Sequence, residues 1–107
     1  ARFALAAAGY GGDKAIFGYG RTPANQNVTN LVSNTGVVAT DTPGVGTARF
    51  ALAAAGYGGD KAIFGYGQTP TRQNVTNLVS NTGAVATDTP GVGTARFGVG
   101  AAGYSLT

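Results

Sequence analysis

The sequence has no cysteine and no histidine, and only 10% of its 107 residues are charged. Without cysteine there is no disulfide framework, no thiolate metal site and no thiol nucleophile, and the redox compartment is left open. Without histidine the commonest general base and metal ligand is missing, which excludes a Ser-His-Asp triad or a histidine metal site within this chain. No run approaches the roughly 20 consecutive apolar residues of a membrane helix, so no membrane partner is expected. Charge is also thin and scattered. The net +3 comes from Arg2, Lys14 and Arg21 against Asp13 and Asp41, then Arg49, Lys61 and Arg72 against Asp60 and Asp88, with Arg96 added. A nucleic-acid surface clusters its Lys and Arg, so no nucleic-acid partner is expected either.

What is present is repetition. The words Ala-Arg-Phe-Ala-Leu-Ala-Ala-Ala-Gly-Tyr occupy residues 1 to 10 and again 48 to 57, and an altered copy fills 95 to 104. Arg2, Arg49 and Arg96 are therefore 47 apart, and the chain reads as two full units, 1–47 and 48–94, with 95–107 beginning a third. A basic residue before an apolar stretch at the start imitates a signal peptide, but a segment copied into the middle of the chain is structural. Periods of 20 to 50 residues indicate repeat architecture, each unit being one supersecondary element.

With 43% hydrophobic residues and 19 glycines, the unit is too apolar for a disordered linker and too rich in Gly for an ordinary helical domain. Four strands about 12 residues apart are predicted in each unit. In the first unit they cover 3 to 10, 14 to 20, 27 to 33 and 37 to 40. Gly11-Gly12-Asp13 and Asn34-Thr35-Gly36 are turns, and 41 to 47 is a Pro- and Gly-punctuated connector. Helix is the rival for 3 to 10, since alanine favours it, but Gly9, Gly11 and Gly12 stop it within about two turns.

The expectation is an all-β fold of two near-identical four-stranded antiparallel β-propeller blades plus one extra strand, with small inner-strand residues where blades converge on an axis. A β-solenoid coil is the alternative. Two blades cannot close a ring of roughly four to eight, so the chain either assembles or belongs to something longer; a homo-oligomer is expected, with a trimer giving six blades favoured. Residues 95–107 would then supply a terminal, ring-closing strand in competition with residues 3 to 10.

Arg2 near the start, the hydrophobic first strand, Gly18-Tyr19-Gly20 closing the second strand and the third strand beyond a variable loop make the unit resemble a kelch-type propeller repeat, which implies blade topology. The wording Thr29 to Asp41 followed by Gly44-Val45-Gly46-Thr47-Ala48-Arg49 also resembles tandem repeats in tail- and virion-associated proteins of aquatic phages and bacteria. That resemblance implies an extracellular or virion structural and binding role.

The two units differ at four of 47 positions, Arg21 to Gln68, Ala24 to Thr71, Asn25 to Arg72 and Val37 to Ala84. Three of these fall in one short segment, 21 to 26 and 68 to 73, which is read as an exposed loop. Arg21, Asn25, Gln68 and Arg72 are accordingly the candidate ligand-binding residues, for glycan or protein, with Tyr19 and Tyr66 either stacking on sugars or packing in the core or rim. Arg2, Arg49 and Arg96 with Asp41 and Asp88 either ring an anion near the axis or fix the unit junctions, each Asp accepting hydrogen bonds within the connector or pairing with the following Arg. Asn27-Val28-Thr29 and Asn74-Val75-Thr76 match glycosylation acceptors. Gly44-Val45-Gly46 lacks the third glycine and helix of a dinucleotide fingerprint, and Asp13 and Asp41 are single turn residues. No catalytic, cofactor or metal site is expected; the chain is read as a non-enzymatic structural and recognition module. The alternative is an engineered or recently amplified repeat with no evolved ligand, because old repeats drift further apart.

Overall fold

The computed structural model describes residues 2–101 and is all-β, with no helix among the described residues. Each unit forms one three-stranded antiparallel sheet. The first contains β1 (Ala6–Tyr10), β2 (Lys14–Gly18) and β3 (Thr29–Val32); the second contains β4 (Ala53–Tyr57), β5 (Lys61–Gly65) and β6 (Thr76–Val79). Register is the same in both, with Ala6 opposite Gly18 and Ile16 opposite Leu31, and likewise Ala53 opposite Gly65 and Ile63 opposite Leu78.

The strands are shorter than the sequence pattern predicts, and the backbone gives the reason. Ala4 and Ala51 sit at φ of 55° and 57°, and Tyr19 and Tyr66 both at 65°. This left-handed conformation costs a non-glycine residue about 1–2 kcal/mol and interrupts the pleat. The first strand therefore starts after Ala4, and the second stops before Tyr19. The predicted fourth stretch and the connector after it are joined to β3 through isolated bridges, Val38 to Val32 and Thr42 to Thr29, with Ser33 N donating to Val37 O over 2.9 Å. In the first turn the Asp13 carboxylate accepts from Asn34 Nδ2 over 3.0 Å, tying that turn to the next one. This bond and the Lys14 ammonium hold the Asp13 carboxyl below its usual range.

The two sheets pack face on face. Alternation puts Ala6, Ala8, Tyr10, Ile16, Gly18, Thr29 and Leu31 on one face of the first sheet. It puts Ala54, Gly56, Ala62, Phe64, Asn77 and Val79 on the opposite kind of face in the second. These two faces meet, and their apolar members are the core: Tyr10, Ile16 and Tyr19 from the first unit, Leu52, Ala62, Phe64 and Val79 from the second. The small first strands let the sheets come close, and one glycine is required outright. A Cβ at Gly18 would lie 2.6 Å from Phe64 Cζ. The Phe64 ring fills that space and tilts against Tyr19 with centroids 5.1 Å apart.

Since a given face of one unit meets the other face of its twin, the contact is heterologous rather than two-fold. Each unit buries one of its faces and leaves the other outward. The tail continues the pattern as far as it is described: Gly67 N donates to Arg96 O and Gly98 N to Ala51 O, as Gly20 N does to Arg49 O and Ala51 N to Ala4 O. The predicted strand over 97 to 104 lies partly outside the described residues.

Candidate functional site

The variable segments come together at the edge of the stack. Arg21, Pro23, Ala24 and Asn25 of the first unit, with Phe50, Gln68, Thr69 and Pro70 of the second, line an open cleft of about 400 Å³. Each loop is a tight excursion closed by an invariant glutamine. Gln26 Nε2 donates to Thr22 Oγ1 and to Ala24 O, both over 3.3 Å, and Gln73 Nε2 to Thr69 Oγ1 over 3.1 Å. Bridges between Arg21 and Asn25, and between Gln68 and Arg72, fix the loop bases. Arg21 Nε donates to Pro23 O over 3.1 Å while its guanidinium lies 5.1 Å from the centre of the Phe50 ring, a cation–π contact that spans the two units. The cleft therefore offers a held cation, an amide and an aromatic edge on a rigid base, the ingredients that orient polar or acidic groups on a surface.

Of the predicted ligand-binding residues, Arg21, Asn25 and Gln68 line this cleft together. Arg72 is exposed elsewhere, its guanidinium 5.2 Å from the Phe97 ring centre. Tyr19 is not available to a sugar: it is fully buried between Phe64 and Arg49, and its hydroxyl donates to Val45 O over 2.9 Å. Burial pushes its phenol pKa up to about 12. Its twin Tyr66 is only half-buried and lies under the Arg96 guanidinium, 4.3 Å from its ring centre.

Of the two readings of these Arg and Asp residues, the structure carries the junction and not the ring. Arg49 is fully buried, with Nε donating to Tyr66 O over 2.7 Å, Nη1 to Thr47 O over 3.0 Å and Nη2 to Asn77 Oδ1 over 2.6 Å, and its guanidinium stacked 4.7 Å from the Tyr19 ring centre. Such a charge survives burial because every direction offers a carbonyl, an amide, a π face or the Asp88 carboxylate at 3.9 Å. Burial works to raise the Asp88 carboxyl, but hydrogen bonds from the Thr47 hydroxyl and amide and from Asn77, with the Arg49 charge, outweigh it and hold the group below its usual range. The Asp partner is the Arg at the start of its own unit, not the following one, for Asp41 likewise faces Arg2 at 3.8 Å. Asn27 and Asn74 each tie their loop to the connector: Asn27 Nδ2 donates to Gly46 O over 2.8 Å and Asn74 Nδ2 to Gly93 O over 2.9 Å.

Sequence reasoning missed Asn77, for which a lone Asn between Thr and Leu in a β-rich run was the signal. Among the described residues no group of three or more Asp, Glu, His or Cys side chains is gathered as a metal site. No protein-family model matches this chain, and no curated protein is similar to it.

Proposed function

We propose that the chain is a non-enzymatic structural and recognition module of the β-propeller kind, a scaffold of repeated blades that presents variable loops to a glycan or protein at a cell exterior or on a virion. Each unit would be one blade, with the bridging segment after β3 as its irregular fourth strand. Three chains would supply six blades in a closed ring. The observation that carries the recognition part is the distribution of change: three of the four positions that differ between the units lie in the loops that build the cleft, and the packing residues beneath them are identical. Change confined to a displayed edge over a fixed base is how binding surfaces diversify without loss of fold.

Two measurements test this reading. A glycan array probed with the native chain should give reproducible binding that Arg21→Ala and Asn25→Ala abolish. Silence on the array, together with no protein captured through the cleft, would remove recognition and favour a recently amplified or engineered repeat, a reading that the near-identity of the units already supports. The native mass in solution tests assembly: a discrete mass of three chains is expected, and a monomer at every concentration refutes it.

A further inference from the structure

Both outward faces of the two-unit stack are open copies of the two halves of its own interface. On the first unit's outward face, a depression of about 370 Å³ is lined by Arg2, Leu5, Phe17, Asn30, Val38 and Asp41. Their counterparts one period on are Arg49, Leu52, Phe64, Asn77, Val85 and Asp88, the residues that the second unit packs against the first. On the second unit's outward face, a cavity of about 200 Å³ is lined by Ala53, Ile63, Gly65, Tyr66 and Thr76, and by Arg96 and 99–101 of the tail, which stand where 49 and 52–54 stand in the internal junction. The first five are counterparts of Ala6, Ile16, Gly18, Tyr19 and Thr29, the wall that receives Phe64 inside the molecule. One face thus holds a knob with no hole, and the other a hole with no knob. Phe17 is 38% exposed whereas Phe64 is fully buried.

We propose that Phe17 of one copy of this chain enters the cavity over Gly65 and against Tyr66 of a second copy, so that chains stack head to tail by repeating their internal interface. This rests on the reading above that the chain assembles with itself, and gives it a contact. The occupant is a second copy because the match is one of identity: the same side chains, on the same strands, that already fit in the middle of the molecule. The track beside the cavity carries residues 96–98, hydrogen-bonded as 49–51 are in the internal junction. Residues 2–4 of the incoming copy correspond to 49–51 of the internal junction, so they take that track from the tail as Phe17 arrives over Gly65.

The faces are complementary rather than identical, which permits a decisive test. Phe17→Ala removes the knob. Gly65→Ala blocks the hole, since the corresponding Cβ at Gly18 would lie 2.6 Å from the Phe64 ring, but it disturbs its own unit little: a Cβ at Gly65 meets only Thr76 Cγ2, at 3.2 Å, and its φ is not left-handed. Both variants should show native circular dichroism. In sedimentation velocity over a concentration series, the native chain should associate and each variant alone should associate about 30-fold more weakly or not at all, as expected for loss of a central aromatic anchor. An equimolar mixture should form a 1:1 pair and stop there, because the Phe17 of the Gly65→Ala chain still fits the cavity of the Phe17→Ala chain and the two remaining ends are dead. Association of either variant like the native chain, or a mixture that stays monomeric, overturns this contact and leaves self-assembly standing. A native chain that stays monomeric throughout overturns both.

Discussion

The two units share nearly every residue and yet bury opposite halves of themselves. Tyr10 is 4% exposed and Tyr57 40%; the order reverses for Phe17 and Phe64. Ile16, Tyr19 and Thr29 are interior in the first unit and their twins half-exposed in the second. Ala62, Asn77 and Val79 are interior in the second and their twins half-exposed in the first. Burial here is set by place in the stack and not by local sequence. A residue in this repeat is core or surface according to whether a neighbouring unit stands against it.

That contrast can be broken by experiment, at concentrations low enough to keep the chain from associating. The largest effect is expected at the aromatic pair. Phe64→Ala should cost about 3–5 kcal/mol in denaturant unfolding, and Phe17→Ala no more than about 0.5 kcal/mol. Equal losses would mean that the units do not pack as described. Next comes the carboxylate pair. Asp88→Asn strips charge from an acceptor of the Thr47 amide and hydroxyl and of Asn77, and should cost about 1.5–3 kcal/mol, against little for the exposed Asp41→Asn.

The Asp88 contribution has a defined pH sense. The folded carboxyl is held below its unfolded value of 3.8, so the folded state binds its proton more weakly than the unfolded one. Its stabilisation is complete above that unfolded value and is lost as pH falls through the folded one. Asp88→Asn should therefore flatten the acid limb of the stability curve below about pH 4, and an unchanged limb would assign that slope to other groups.

Gly18→Ala should cost about 1–3 kcal/mol by driving Phe64 from its place, while Gly65→Ala should cost less than about 1 kcal/mol. The smallest effect sharpens the contrast by being equal in both units. Ala4 and Ala51 share a left-handed backbone, each carbonyl accepts from the amide one period on, and the tail already carries glycine at the matching position, Gly98, with φ of 65°. Ala4→Gly and Ala51→Gly should each stabilise by about 0.5 kcal/mol, by the same amount within error. Unequal values would show that the bend is imposed by the neighbouring unit.

Much of this was legible in the residues. The period, the all-β character, the turns at Gly11-Gly12-Asp13 and Asn34-Thr35-Gly36 and the exposure of the variable loops all follow from spacing and turn chemistry. The strand ends were not, because an alanine or tyrosine in the left-handed region looks like any other in a β run. Sugar stacking and core packing both stood open for Tyr19 for a deeper reason: Tyr19 and Tyr66 sit in the same words, Gly-Tyr-Gly, and only the second sheet distinguishes a core ring from a half-exposed one. The Arg49–Asp88 pairing was likewise hidden, since two residues 39 apart in sequence meet only once β6 brings Asn77 between them.

The identity of the internal contact from unit to unit also bears on how such a chain changes length. Each residue of the unit is written to serve on either side of a junction, so an additional copy inserted in frame needs no new partner surface to be invented. Unequal recombination between the two stretches of matching code would add or remove 47 residues at a time and leave every seam chemically familiar. Selection could then act on copy number and on the letters of the edge loops separately, the latter being where three of the four differences between the two units lie.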